Sequence, residues 1–235
     1  KDQYEHENIH HISSLFVTRL KELIHHCCDP KNFGYTPSDF PLINLTQDTL
    51  NRLEQLNRRI KSIYLLSPMQ AGLLFNYLYN KQADTYIIQT IYDIKGQLNP
   101  EIFQRAWQFV INQHEVFQTG FLWESLDAPI QYVWEEKKFS WYYQDWKGSS
   151  QTIQKQQFEI LLKDDRDKAF DLTKGYLSRF ILIRRAEDKF QLLWTHHHII
   201  LDGWCGPILL NQVLSVYRQL QQQQKPYLNF TRPYS

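Results

Sequence analysis

Cysteine is scarce in this chain of 235 residues, and its three copies form no evenly spaced framework. Cys27 and Cys28 are adjacent while Cys205 lies far away, so a disulfide scaffold is excluded and a reducing, cytoplasmic compartment is favoured. Charge of one sign is also lacking, because the net charge is only +1. Neither nucleic acid nor an anionic membrane is therefore expected as a partner. Apolar runs long enough to span a membrane are absent, as is a signal-like N-terminal pattern.

What the chain has is apolar and aromatic side chains, at 43% and 15% of its residues. That content supports a packed core between broad apolar surfaces. Apolar spacings of three and four predict helices, and β-branched or aromatic runs predict strands. Their order predicts an α/β fold with a mixed sheet and helices packed on one side of it. Helices are predicted over 9–27, 46–56, 67–78, 99–111, 150–168 and from 207, and strands over 85–94, 117–123, 129–134, 176–184 and 189–198.

The richest stretch is THHHIILDGWCG, residues 195–206. Neighbouring residues of a strand point to opposite faces, so His197 and His198 cannot face the same space. His198 shares its face with His196 and Trp194, whereas His197 shares the other with Thr195. We therefore expect one ring to be packed and hydrogen-bonded and the other to border a cavity. The Asp-Gly pair that follows predicts a turn, where glycine permits close approach of a ligand or an unusual backbone angle.

Three interpretations of these histidines are open from the residues alone. They could be satisfied core histidines at the end of a strand. A metal site is not expected, because adjacent histidines diverge and no Cys-x-x-Cys or His-Glu-x-x-His partner exists. A general base is the third interpretation, since an unperturbed imidazole has a pKa of about 6.5. Cys205 lacks any nucleophile signature around it, and we interpret it as structural.

HHIILDG, residues 197–203, matches the pattern His-His-x-x-x-Asp-Gly. It resembles the active-site motif of the condensation domains of nonribosomal peptide synthetases, within the chloramphenicol acetyltransferase-like superfamily. Two further stretches, SPMQAGLLFNYL and NQHEVFQTGF, resemble the first and second core motifs of that family, in the right order. FDLTKGYLSRFILIR resembles the strand before the motif. The resemblance covers residues 63–235, and these stretches occupy residues 67–78, 112–121 and 170–184.

The resemblance implies a lobe of chloramphenicol acetyltransferase-like fold, which pairs with a C-terminal lobe around a tunnel. Donor and acceptor carrier proteins deliver substrates there on 4′-phosphopantetheine arms, and an amide forms; no metal or directly bound cofactor is implied. His198 would act as general base or would position the amine. The Gly203 amide would stabilise the oxyanion, with His197 a supporting motif residue. Asp202 would pair with an arginine that holds the loop.

That arginine is replaced here by Gln118, which lacks its charge and its bidentate geometry. Gln118 could hydrogen-bond Asp202 instead, Arg179 or another cation could substitute, or the loop could be loose. The chain also ends about where the first lobe of the family hands over to the second. We therefore expect the isolated chain to be inactive.

The upstream stretches KELIHHC and YTPSDFPL resemble the tail of a preceding epimerization or condensation domain and its linker. They predict a tail helix over 1–28, a linker with a short helix over 29–62 and the lobe over 63–235, with adenylation and epimerization domains as neighbours. The histidines of the tail receive no catalytic role. Three alternatives stay open: an epimerization domain, a degenerate lobe that only docks carrier proteins, and a stand-alone acyltransferase.

Overall fold

The structure, a computed structural model, forms two separate units, residues 1–59 and residues 60–235. Leu56 of the predicted short helix and Thr85 of a predicted strand lie outside the residues that it describes. None of the described helices is long and apolar enough to cross a membrane. The described residues are 6–29, 32, 34–55, 59–79 and 86–228.

The first unit is helical. Helix α1 spans His6–Cys28 and helix α2 spans Gln47–Glu54, with a single 3-10 turn between them. Thr46, the first residue of the helix predicted over 46–56, caps α2, because its side chain accepts a hydrogen bond from the backbone N–H of Thr49. The predicted apolar stripe of α1 is present, yet none of the 23 residues of this helix is buried.

The second unit contains two sheets rather than the one that we predicted. The first is antiparallel, with β1 (Ile60–Leu65), β3 (Thr119–Leu122) and β4 (Ile130–Trp134) in the order β1-β4-β3. The second has the order β2-β7-β6-β5 and is mixed, because only β5 and β6 run parallel. Its strands are β2 (Ile87–Lys95), β5 (Trp141–Asp145), β6 (Ser178–Ala186) and β7 (Lys189–His197).

Among the described residues, four helices accompany these sheets, and Asn99 and Ser150 cap two of them. The Asn99 side chain accepts from the backbone N–H groups of Glu101 and Ile102, and Pro100 occupies the first turn, where no N–H is needed. Ser150 caps the polar helix through the N–H of Ile153. The helices are α3 (Pro68–Tyr79), α4 (Pro100–Ile111), α5 (Gln151–Arg166) and α6 (Cys205–Gln221).

Helices cover both faces of the four-stranded sheet, so the prediction of helices on one side is wrong. Even-numbered residues of β6 and β7, such as Phe180 and Trp194, pack with α4 and α6 in the main core. Odd-numbered residues such as Leu193 pack instead against α5. Because strand side chains alternate, the two sets lie on opposite faces. The mostly polar sequence of α5 did not indicate that this helix packs on the sheet, since only a narrow apolar edge of the helix meets the sheet.

Strand β1 was also missed. It begins at Ile60, inside the predicted linker over 29–62, and its partner β4 lies about seventy positions further along the chain, since Ile60 pairs with Trp134. Ile60 and Ile63 are buried while the residues between them are not, and the register shifts between Ile60 and Ser62. An irregular strand of this kind carries no clean alternation for sequence analysis to detect.

Candidate active site at the end of strand β7

The histidines lie where the pairing of β7 comes to an end. The backbone N–H of His198 donates to the carbonyl of Tyr86, just before β2 begins, at 2.8 Å. The N–H of Ile200 then donates to the carbonyl of His197 at 3.2 Å, which turns the chain out of the sheet. His198 is thereby held at the sheet margin, at the start of the loop that leads to α6.

His198 is half-buried and borders a cavity. Its Nδ1 lies 2.6 Å from the carbonyl oxygen of Leu201. A carbonyl can only accept, so Nδ1 carries the proton of the neutral ring and Nε2 keeps its lone pair. The loop therefore fixes both the orientation and the tautomer of this imidazole, as a general base requires.

His197 lies on the other face and is 1% exposed. Its Nδ1 accepts the backbone N–H of Ile199 at 3.1 Å, which places the proton on Nε2, and that nitrogen is sealed without a described partner. The ring of Tyr77 stands nearly perpendicular to it, with centroids 5.9 Å apart. Burial, reinforced by the charge of a protonated His198, lowers the pKa of His197 to about 4. The expected division into one packed and one cavity-facing ring is what the structure has.

The cavity beside His198 has a volume of about 240 Å³. One side is the surface of β2 and β7, in which Ile88 pairs with His196 and Thr90 with Trp194. The other side is the loop and first turn of α6. The cavity therefore opens beside the imidazole and extends along the sheet toward the main core. Its lining from the sheet is Ile88, Thr90, Tyr92, Trp194, His196 and His198, and from the loop and helix Asp202, Gly203, Gly206 and Pro207.

Asp202 organises its own turn instead of pairing with a distant cation. Its Oδ1 accepts from the backbone N–H groups of Trp204 and Cys205, at 3.0 and 3.1 Å, and from the Cys205 thiol at 3.1 Å. The thiol hydrogen bond is the largest cause of the lowered pKa of Asp202. Burial raises the pKa of Cys205, which fits the structural role predicted for it. The loop is thus closed by local hydrogen bonds to the start of α6.

Neither expected partner of Asp202 contacts it in the structure. Gln118 is 3% exposed and its Nε2 donates to the carbonyl of Ile111 at 3.5 Å. Arg179 is committed to the opposite face, where its Nε lies 2.5 Å from the carboxylate of Asp165 at the end of α5. The expectation of a Gln118 or Arg179 contact is therefore wrong, because the aspartate finds its donors within three residues.

The two glycines of this region, Gly203 in the loop and Gly206 in α6, differ in how much free space surrounds them. Gly203 borders the cavity, and a Cβ placed on it would meet nothing within 4 Å. Its φ lies outside the left-handed region, so the expected unusual backbone angle is not found. Gly206 is more confined, since its Cβ would lie 3.3 Å from the Tyr92 hydroxyl. That close approach brings the first turn of α6 down onto β2.

Sequence reasoning gave no role to two polar groups at this site. His196 borders the cavity together with His198, and the period of two already placed them on one face. Gln70 in α3 exchanges amide hydrogen bonds with Gln131 and donates to the carbonyl of Ile199 at 3.4 Å. This contact ties α3 and β4 to the histidine loop. It joins residues 129 positions apart in the sequence, so no local sequence pattern predicts it.

Solved structures that superpose on the chain are condensation domains. The starter condensation domain of rhizomide synthetase RzmA aligns with a TM-score of 0.63 at 22% identity, covering 72% of this chain and 40% of that one. The first condensation domain of the calcium-dependent antibiotic synthetase, in complex with substrate analogue 2a, aligns with a TM-score of 0.65 at 17% identity and the same coverage. At these identities the likeness establishes the condensation-domain fold.

The family model described as Condensation domain matches residues 60–235. The chain therefore belongs to the condensation-domain family, and the match begins where β1 begins. A linear gramicidin synthase of Brevibacillus parabrevis is 33% identical over 224 residues, and bacitracin synthase 1 of Bacillus licheniformis is 30% identical over 236. Those matches cover 95% and 100% of this chain but only 4% of each synthase.

Proposed function

We propose that this chain is the N-terminal lobe of a condensation domain that forms a peptide bond between two carrier-bound substrates. The observation that carries the proposal is the fixed tautomer of His198, whose Nδ1–H is held by the Leu201 carbonyl. The acceptor amine attacks the donor thioester carbonyl, so that a C–N bond forms and the C–S bond breaks. Nε2 of His198 takes the amine proton or holds the amine in place, and the sulfur leaves as a thiol once it has gained a proton.

The loop after His198 supplies a candidate for the oxyanion that forms in this reaction. Gly203 borders the cavity, and its backbone N–H has no hydrogen-bond partner among the described residues. It lies at the N-terminal end of α6, where the helix dipole favours negative charge. A free backbone donor in this position suits a tetrahedral intermediate. The intact Asp202 turn keeps that donor in place without the arginine of the family motif.

The proposal extends to the partners of the domain. Donor and acceptor carrier proteins would present their substrates on phosphopantetheine, and the C-terminal lobe of the same domain would close the far side of the cavity. The chain spans 40% of the solved condensation domains, and we propose that it is inactive without the rest. Upstream, residues 1–28 would be the tail helix of an epimerization or condensation domain, 29–62 a linker and 63–235 the lobe, with an adenylation domain further along.

The test is a carrier-loaded condensation assay on the complete synthetase module, comparing the wild type with His198→Ala. Loss of a positioned base predicts a fall in rate of about 10²–10⁴-fold, with residual activity from the bound and oriented substrates. His114→Ala is the matched control, because His114 pairs with Gln212 and does not border the cavity. Equal rates for His198→Ala and wild type would contradict the proposal.

A further inference from the structure

His196 borders the cavity and has no part in the reaction described above. It lies two residues before His198 on the same face of β7, opposite Ile88 of β2. Residues spaced in this way lie about 7 Å apart along a strand. The spacing leaves room for His196 to meet a part of a substrate other than the carbonyl or amine that reacts at His198.

The ring of His196 is fixed in place. It is 6% exposed and tilts against the indole of Trp194, with ring centroids 4.8 Å apart. That indole is itself held, because its Nε1–H donates to the hydroxyl of Ser178 at 2.8 Å. An aromatic ring packed in this way has little freedom to turn, so its polar atoms are preorganised.

The two nitrogens of this ring differ, because only Nδ1 is among the sealed, unpartnered side-chain atoms of the described residues. Nδ1 of His196 is sealed from solvent without a hydrogen-bond partner among the described residues. A sealed N–H without an acceptor is rarer and costlier than an unpaired acceptor, which places the proton on Nε2. Burial is the main reason that the pKa of His196 falls to about 4, so the ring is neutral at pH 7. His196 therefore offers the cavity an uncharged N–H donor.

We propose that His196 is a specificity-determining residue, whose Nε2–H binds an uncharged, hydrogen-bond-accepting side chain of one of the two substrates. The proposal rests on the proposed function, because it takes the cavity to be the reaction site. Ile88 and Trp194 give the cavity apolar walls, and Thr90 and Tyr92 add hydroxyls. Among the described residues, the cavity lining contains no Lys, Arg or Glu, and Asp202 lies at the exposed loop and is engaged by its own turn. The lining therefore suits an uncharged side chain.

The size of the cavity agrees with a side chain of several heavy atoms. Its volume of about 240 Å³ is several times the share of one water molecule in the liquid, about 30 Å³. The same chemistry, an amide or hydroxyl on a short aliphatic stem, could arrive on the donor or on the acceptor. The experiment therefore varies the two substrates separately.

The experiment is a condensation assay on the complete module with carrier-loaded substrates in near-isosteric pairs, asparagine against leucine and threonine against valine. One arm varies the donor against a fixed acceptor, and the other varies the acceptor against a fixed donor. In one arm we expect the wild type to prefer the hydrogen-bonding member by about tenfold or more in kcat/KM, because a site built for a hydrogen bond rejects the analogue without it. His196→Leu should reduce that preference to about twofold or less, and His196→Gln, which keeps a donor, should retain most of it.

The outcomes separate this proposal from the proposed function. His198→Ala should slow both members of each pair alike and leave their ratio unchanged. If His198→Ala has no effect on rate, the proposed function fails. If the module condenses substrates but the wild type shows no preference in either arm, His196 does not select side chains. A preference that survives in a folded His196→Leu module would overturn the proposal in the same way, with the melting temperature reporting whether that variant folds.

Discussion

The two faces of β7 give chemically similar residues different surroundings: one face borders a cavity and the other is packed. On one face, Trp194, His196 and His198 border a cavity, and the lone pair of His198 is left free. On the other, Thr195 and His197 are at most 1% exposed and packed against α5 and aromatic rings. The two neighbouring histidines even carry their protons on opposite nitrogens, Nδ1 in His198 and Nε2 in His197. A change of one position along a strand thus separates a cavity-facing group from a packed one.

The packed face is held together by a buried carboxylate. Asp165, 2% exposed at the end of α5, accepts from Arg179 and from the hydroxyl of Thr195, each at 2.5 Å. It also accepts from Gln89 of β2 at 2.8 Å. One side chain therefore joins α5 to three adjacent strands. The contacts of Asp165 thus lie on this face, while the cavity and the main apolar core lie on the other.

The largest effect on stability is expected from Asp165→Ala. The substitution leaves the Arg179 guanidinium, 13% exposed, without its carboxylate, and strands the hydroxyl of Thr195. Breaking a buried ion pair in this way costs about 3–5 kcal/mol of unfolding free energy. Urea unfolding measures it, and Asp164→Ala, one position earlier on the exposed side of α5, is the matched control. If both variants lose the same stability, the buried ion pair of Asp165 does not stabilise the packed face.

Acid should weaken the fold through the buried histidines. His196 and His197 have pKa values of about 4 when folded, below the unfolded value of 6.5. The unfolded chain therefore binds more protons between these values, and stability falls as pH drops from about 6.5 to 4. Each histidine contributes a slope of up to about 1.4 kcal/mol per pH unit, most fully near pH 5. Unfolding free energies measured across this range give the slope.

The slope can be assigned with a single substitution. His197→Gln removes one of the two groups and should lower the slope between pH 4.5 and 5.5 by about 1 kcal/mol per pH unit, whatever it does to stability at pH 7. His10→Gln, on the exposed surface of α1, is the control for the loss of a histidine. A slope that stays the same in His197→Gln would mean that His197 is not buried as a neutral ring.

The smallest effect is expected from the aspartate of the cavity face. Asp202→Ala removes the acceptor for two backbone N–H groups at the start of α6, a loss comparable to a helix cap. We expect a cost of about 1 kcal/mol, well below that of Asp165→Ala, because the freed amides are exposed to water. Asp202→Asn keeps an acceptor and should lose less. Thermal unfolding of Asp202→Ala, Asp202→Asn and Asp165→Ala ranks their stabilities. An equal cost for Asp202→Ala and Asp165→Ala would contradict the expected difference between the two aspartates.

The sequence alone was sufficient to predict features that depend only on neighbouring residues. Alternation along residues 194–198 predicted that His197 and His198 lie on opposite faces, and Thr46 and Asn99 predicted helix starts that the structure has. Where the outcome depends on distant partners, prediction failed. Strand β1 depends on β4, and the placement of α5 depends on the parallel pairing of β5 with β6, the strands that α5 connects.

The partner of Asp202 was missed for a different reason. The family motif pairs it with a residue about eighty positions away, and Gln118 occupies that place in the sequence. The carboxylate instead meets donors two and three residues further along, at Trp204 and Cys205. A short loop that leads directly into a helix favours such local hydrogen bonds. A motif thus identifies which residue is special without fixing which contact it makes.

Gly206 is a position at which one substitution would reshape the cavity. A methyl group there would stand 3.3 Å from the Tyr92 hydroxyl and 3.9 Å from the indole of Trp194, two residues of the lining. No described histidine lies within 4 Å of that methyl group. Under the proposed function, evolution or design would then alter, at a single codon, which monomers fit, apart from the group that acts on them.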